Sequence, residues 1–171
     1  MRDLDNARTS ESSPSRETNE HNRVESNCSP GMADLMACRI LVVDDHPVMR
    51  RGLRTLLGSH PGWEIVAEAE DGVEAVEKAL ELKPDIVVLD ITMPRMDGLE
   101  ACRLIRRDLP KSEVVIVTQH DSPQMRQEAL GAGARSYVVK SNMARDLPAA
   151  IESARKHMSS PATNPGSPSD S

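Results

Sequence analysis

PDIVVLDITMPRMDGLEACRLIR, residues 84–106, contains a complete structural unit. Pro84 precedes a continuous apolar run, Ile86–Leu89, and Asp90 closes it. A short run without polar alternation suits a strand of a parallel sheet, buried on both faces. Beyond it Ala101, Leu104, Ile105 and Leu109 recur at helical spacing. The unit is a strand followed by a helix, with a carboxylate at the junction.

The same unit repeats on either side. Apolar runs stand at Ile40–Val43, Ile65–Ala67, Val114–Val117 and Tyr137–Val139. Helical stripes separate them: Met49, Leu53, Leu56 and Leu57; Val73, Val76 and Leu80; a weaker Met125, Ala129 and Ala132; and Leu147, Ile151, Ala154 and Met158. Pro47 marks a helix start, Gly58 and Pro61 a helix end, and Pro84 the approach to the third strand. Pro148 falls within the fifth stripe, and a proline is tolerated in a first turn, so that helix is expected to start near Arg145 or Asp146. Five βα units joined by right-handed crossovers make an α/β fold, a doubly wound, five-stranded parallel sheet with helices on both faces.

Outside this pattern the composition changes. Residues 1–37 are expected to be a disordered extension, 38–158 the folded domain, and 159–171 a disordered Ser/Pro-rich tail. Residues 39–158 hold 17 Lys/Arg against 19 Asp/Glu, so the folded part is near neutral within a chain of net charge −6. That gives no basic surface for tracking nucleic-acid phosphates. No apolar run is long enough for a membrane span, and no signal-peptide core opens the chain, so a cytoplasmic protein is expected. Cys28, Cys38 and Cys102 have neither CxxC nor paired spacing, which disfavours zinc sites and disulfides. With no Phe, one Trp and one Tyr, the core must be aliphatic.

In doubly wound sheets the site lies outside the carboxyl ends of the strands. Here the first run ends in Asp44-Asp45, the third in Asp90, the fourth in Thr118 and the fifth in Lys140. No Gly-rich loop follows the first strand, which disfavours a dinucleotide or P-loop site. Three close carboxylates raise one another's pKa, and a hard divalent cation such as Mg²⁺ relieves the repulsion. A hydroxyl and an ammonium beside them suit the oxygens of an incoming phosphoryl group. A carboxylate attacking phosphorus would then give an aspartyl phosphate.

VVDDHPVMRRGLRTLL (42–57), the 84–106 stretch, VVIVTQHD (114–121) and GARSYVVKS (133–141) together resemble the receiver domain of two-component response regulators. The nearest branch is the one whose members usually carry a helix-turn-helix output domain. The resemblance covers about residues 38–158. It implies a flavodoxin-like (βα)5 fold with Asp90 as phosphoryl acceptor. It also implies Asp45 as direct Mg²⁺ ligand, Asp44 acting mainly through water, and the backbone carbonyl of Thr92 completing the metal shell. Thr118 and Lys140 would hold the phosphoryl oxygens, Tyr137 would be the aromatic switch, and Met93-Pro94 and Gly98 would shape the loop after the acceptor. Gln119, bulkier than the residue many receivers have there, and Thr92 are candidate modulators of phosphoryl lifetime.

The implied partners are a histidine kinase or phosphotransfer protein and an unidentified downstream protein, contacted through about Asp121–Met158. A lone module and a phosphorylation-dependent homodimer are both compatible with this. No output domain is read in the chain and no direct DNA or membrane binding is expected. The protein is expected not to be an enzyme beyond its own phosphoryl acceptance and loss. The alternative is a Mg²⁺-dependent phosphatase of the haloacid-dehalogenase type, because Asp90-Ile91-Thr92 resembles its D-x-[DT] start. In that family, however, the nucleophile follows the first strand of the core, not the third. A phosphorylation-independent scaffold is a further reading, opposed by five intact chemical positions.

Each position has an ordinary reading by itself. A strand-end Asp often caps the next helix, and a lone Lys is usually solvated. Thr118 and Tyr137 alone would be static strand residues. His46 reads as a loop residue with a minor claim on the metal, and His60, His120 and His157 as surface. Arg50-Arg51 and Arg106-Arg107 read as solvated helix faces, Cys38 and Cys102 as small buried hydrophobes, and Trp63 as a cover for one end of the second strand.

Overall fold

The computed structural model describes residues 37–159. The expectations for residues 1–36 and 160–171, including the two tails and Cys28, lie outside the described residues. The element order is β1 (Cys38–Val43), α1 (Pro47–Gly58), β2 (Trp63–Ala69), α2 (Gly72–Leu82), β3 (Ile86–Asp90), α3 (Gly98–Asp108), β4 (Glu113–Thr118), α4 (Pro123–Gly131), β5 (Ser136–Val139) and α5 (Met143–Ser159), with a short 3-10 turn at Lys140–Asn142. The five strands form one parallel sheet in the order β2-β1-β3-β4-β5. The order reverses at β1, and β1 and β3 carry the acids at that switch.

Alternate strand residues divide the core into two layers. Leu41, Val43, Val87, Leu89, Val114 and Ile116 point towards α2, α3 and α4. Ile40, Val42, Ile86, Val88, Val115 and Val117 pack against Leu53 and Leu57 of α1 and Leu147, Ile151 and Ala154 of α5. The central strands β3 and β4 are buried at every position, as a run read without alternation requires. Truncating a fully buried Leu or Ile in such a layer costs about 2–5 kcal/mol.

Three sequence readings are corrected. β2 extends two residues beyond Ile65–Ala67 at each end, because it is an edge strand whose Glu64 and Glu68 interrupt the apolar run. A bulge between Ile40 and Leu41 also shifts its register. The buried line of α2 is Gly72, Ala75 and Ala79; Val73 and Val76 are half-buried and Leu80 is 43% exposed. Small residues let α2 approach the sheet and α3 closely, so the large ones move to the flanks. α5 begins at Met143, placing Pro148 one turn deeper than a first-turn proline. The carbonyl left without its usual helical partner belongs to Ala144, which is exposed to water.

The helix starts are prepared locally. Asp71 accepts from Glu74 N–H at 3.0 Å and Asp97 from Glu100 N–H at 2.8 Å, capping α2 and α3. Ser122 and Pro123 open α4. α1 starts at Pro47 without a side-chain cap.

Candidate functional site at the carboxyl edge of the sheet

Strand register builds the site. Val43 pairs with Leu89, so the next residues, Asp44 and Asp90, stand side by side. Thr118 pairs with Val139, so Lys140 follows on the neighbouring strand. Lys140 Nζ donates to Asp44 Oδ2 at 2.7 Å and to Asp90 Oδ2 at 3.1 Å. These contacts span 96 and 50 residues of chain and are nearly dry: Asp44 is 0% exposed and Asp90 4%.

The remaining oxygens are distributed unequally. Asp44 Oδ1 accepts from His46 N–H and Asp90 Oδ1 from Ile91 N–H, each at 2.8 Å. Asp45 Oδ1 is buried and, among the described residues, is the one buried side-chain polar atom without a hydrogen-bond partner. His46 Nδ1 lies 2.8 Å from it in an orientation that makes no hydrogen bond, and His46 itself is mostly exposed. A carboxylate oxygen without a hydrogen bond, next to the Asp44 carboxylate, is the kind of donor a hard divalent cation takes. The carboxylates of Asp44 and Asp45 and the imidazole of His46 have ligand atoms within 4.8 Å of one another.

Burial pushes the Asp90 carboxyl above its ordinary range and Asp44 adds to this, against the opposing pull of Lys140. Burial alone would lower Lys140, but the hydrogen bond to Asp44 and the charges of Asp90 and Asp44 hold it above its ordinary value. Lys140 is therefore a permanent cation between two acids.

The other sequence-selected residues surround this centre. Thr118 is 1% exposed, and its Oγ1 accepts from His120 N–H at 3.3 Å. Tyr137 is buried; its hydroxyl donates to the His120 carbonyl at 2.5 Å and Arg126 covers its ring at 4.9 Å. Thr118 and Tyr137 are thus tied to the same residue of the β4–α4 loop. Gln119 and Thr92 are exposed on loops beside the acids. Gly98 closes the β3–α3 loop: its N–H donates to Ile91 O at 2.8 Å, and a Cβ there would lie 1.9 Å from the Asp90 carbonyl oxygen.

Sequence reasoning missed two supports of the site and misread one residue, His60, at the opposite end of the sheet. Arg50, read as solvated, donates to the Asp44 carbonyl at 2.7 Å and to Glu70 at 2.9 Å, with Glu68 at 3.5 Å. Asp71 is buried and paired with Arg95 of the β3–α3 loop. A capping signal, Asp71 three residues before Glu74, was available for the first of that pair. His60, read as surface, stacks on Trp63 with ring centroids 4.2 Å apart.

This geometry agrees with the comparisons to known proteins. The response regulator receiver domain family matches residues 40–152, and the chain belongs to that family. The response regulator protein VraR of Staphylococcus aureus (strain Mu50) is 39% identical over 116 residues, covering 68% of this chain and 56% of its own length. The chain therefore spans just over half the length of such curated relatives. A two-component response regulator of the LuxR family from Aurantimonas is 43% identical, with a TM-score of 0.66 over 68% of this chain and 84% of its own. The CheX–CheY–BeF3–Mg²⁺ complex from Borrelia burgdorferi contains a chain 31% identical, with a TM-score of 0.64, covering 67% of this chain and 87% of that one. The molecule is a receiver domain of the two-component type with the flavodoxin-like fold. Among the described residues no helix is long and apolar enough to cross a membrane.

Proposed function

We propose that this receiver domain accepts a phosphoryl group on Asp90 from a histidine kinase or phosphotransfer protein and passes the signal on by a protein contact. The observation that carries this reading is the edge itself. Asp44 and Asp90 share Lys140 there, and Asp45 Oδ1, grouped with Asp44 and His46, makes no hydrogen bond. Asp45, Asp44, Asp90 and the Thr92 carbonyl would hold Mg²⁺, which supplies neutralisation of the acids and of the phosphoryl oxygens. The Borrelia complex, which holds BeF3 and Mg²⁺, supports this choice of cation.

A carboxylate oxygen of Asp90 attacks phosphorus while the bond from phosphorus to the donor's imidazole nitrogen breaks. Lys140 remains charged and offers its ammonium to the new phosphoryl oxygens, and Thr118 donates its hydroxyl to another. Water later cleaves the acyl phosphate, restoring the Asp90 carboxylate and releasing inorganic phosphate. Exposed Gln119 and Thr92 tune access of that water. Turnover of a separate substrate is not part of this function. Thr118 drawn towards the phosphoryl group acts through His120 on Tyr137, expected to turn inward on phosphorylation but already buried here, and so alters the α4–β5–α5 surface that a partner or a second copy reads. The near-neutral folded part, working in the cytoplasm, binds no DNA by itself.

Acetyl phosphate with Mg²⁺ tests this. Intact mass should rise by one phosphoryl group, hydroxylamine should remove it, and peptide mapping should place it on Asp90. Equal labelling of Asp90→Asn at the same rate would refute the assignment.

A further inference from the structure

The loop between β3 and α3, residues 91–97, follows Asp90 directly and contains Thr92, and it does not hold its shape alone. Arg95 sits there at φ 65°, a left-handed conformation that side chains rarely adopt. Something must hold it, and the contact is specific. Arg95 Nε donates to Asp71 Oδ2 at 2.8 Å, and its Nη2 donates to the same oxygen. Asp71 is 5% exposed, and its other oxygen caps α2 through Glu74 N–H. Asp71 follows β2, whose last residue, Ala69, accepts from the N–H of Asp44. The partner of Arg95 is therefore anchored to the edge that bears the acids. The loop also lies directly on the first turn of α2: a Cβ at Gly72 would come 2.5 Å from the Met96 carbonyl oxygen.

We propose that Arg95 is a positioning residue: clamped to Asp71, it holds the 91–97 loop in the conformation that presents the Thr92 carbonyl and Asp90 to a divalent cation. The inference rests on the function proposed above, since it assigns the loop's carbonyl to the cation shell. Burial works to raise Asp71, yet the Glu74 N–H and the Arg95 guanidinium bring its carboxyl below the ordinary range, as a standing ion pair requires. The clamp joins loops 24 residues apart in sequence, so the β2–α2 turn becomes part of the metal site's support.

The test is Mg²⁺ titration by calorimetry on the full chain, with amide hydrogen exchange of the metal-free protein read at Gly98. Asp71→Asn keeps the helix cap but removes the charge. Arg95→Ala removes the guanidinium. Each should weaken Mg²⁺ binding about tenfold, the size expected for groups that orient metal ligands. The double variant should be no weaker than either single one, because both break one contact. Gly98 exchange should quicken in both single variants, and melting temperatures should move little.

Arg95→Lys should recover part of the affinity. Arg95→Gly, which accepts the left-handed backbone freely, should still lose it. Wild-type binding with variant affinities within about twofold of it overturns the clamp and leaves the function standing. Arg95→Gly binding as tightly as wild type also overturns it, since backbone conformation alone would then set the loop. Absence of Mg²⁺ binding by the wild type overturns the function and this inference together.

Discussion

Both ends of the sheet bury charge, but in different ways. At the amino end Asp85 Oδ2 accepts from Arg39 N–H at 2.8 Å, and Arg39 Nη1 donates to the Leu82 carbonyl at 2.7 Å. Ser112 Oγ donates to the Pro84 carbonyl at 2.6 Å. Glu113, 4% exposed, has His157 Nδ1 at 3.0 Å and Arg106 Nη1 at 3.6 Å. Each group there has a protein partner. At the carboxyl end two buried acids share one lysine and a third acid keeps an oxygen without a hydrogen bond. Satisfied polar groups hold strands in register, whereas unsatisfied ones are a standing demand for a ligand.

The largest expected effect comes from worsening the imbalance. Lys140→Met leaves Asp44 and Asp90 buried without their cation. In EDTA it should destabilise the fold by about 3 kcal/mol in urea titration, and Mg²⁺ should restore part of the loss. If the variant were as stable as wild type without metal, the carboxyl edge would not be the strained end.

At the satisfied end, Glu113→Gln should cost about 2 kcal/mol, the scale for a hydrogen bond to a charged group. That loss should be the same with Mg²⁺ or EDTA. A Mg²⁺-dependent loss would show that the two ends are coupled.

Easing the imbalance should do the opposite. Asp90→Asn leaves Asp44 alone with Lys140, a neutral pair, so the metal-free protein should gain about 1 kcal/mol. If Asp90 is the acceptor proposed above, the same change should also abolish phosphorylation, read by intact mass after acetyl phosphate, so stability and function would oppose each other at one residue. The sign in pH agrees. Because the folded state raises Asp90, metal-free wild type should become less stable as pH rises through that raised value, and Asp90→Asn should lose this slope.

The smallest effect concerns the thiols. Burial pushes Cys38 up to about 11, aided by Asp85, and Cys102 likewise to about 11. In a Cys28→Ser background neither should react with a disulfide reagent near pH 8 until the protein unfolds. Rapid labelling of Cys38 would show that the amino end is open to solvent.

Much of the fold was legible because it follows local periodicity. The runs at Ile86–Leu89 and Val114–Val117 suit strands buried on both faces, and both lie within the observed β3 and β4. Leu53, Leu57, Ile105 and Ile151 recur at helical spacing and are buried as that spacing demands. β2 was read short because an edge strand mixes Glu with apolar residues, and α2 was turned slightly because alanine carries a weak hydrophobic signal. The start of α5 was set by a rule about proline, and the structure makes an exception at an exposed part of the helix, where Ala144 precedes Pro148 by one turn.

The site divides in the same way. By itself the sequence determined that Asp44, Asp45, Asp90, Thr118 and Lys140 lie at one edge, because each ends an apolar run and parallel strands end together. Only the tertiary structure decided which of them touch. It gave Lys140 to Asp44 as well as Asp90, left Asp45 Oδ1 without a hydrogen bond, and brought in Arg50 and the Arg95–Asp71 pair. Periodicity places a residue on a face or at an end. An ion pair across 24 or 96 residues depends on how neighbouring strands are registered and how loops cross between them, and those follow from packing the whole chain.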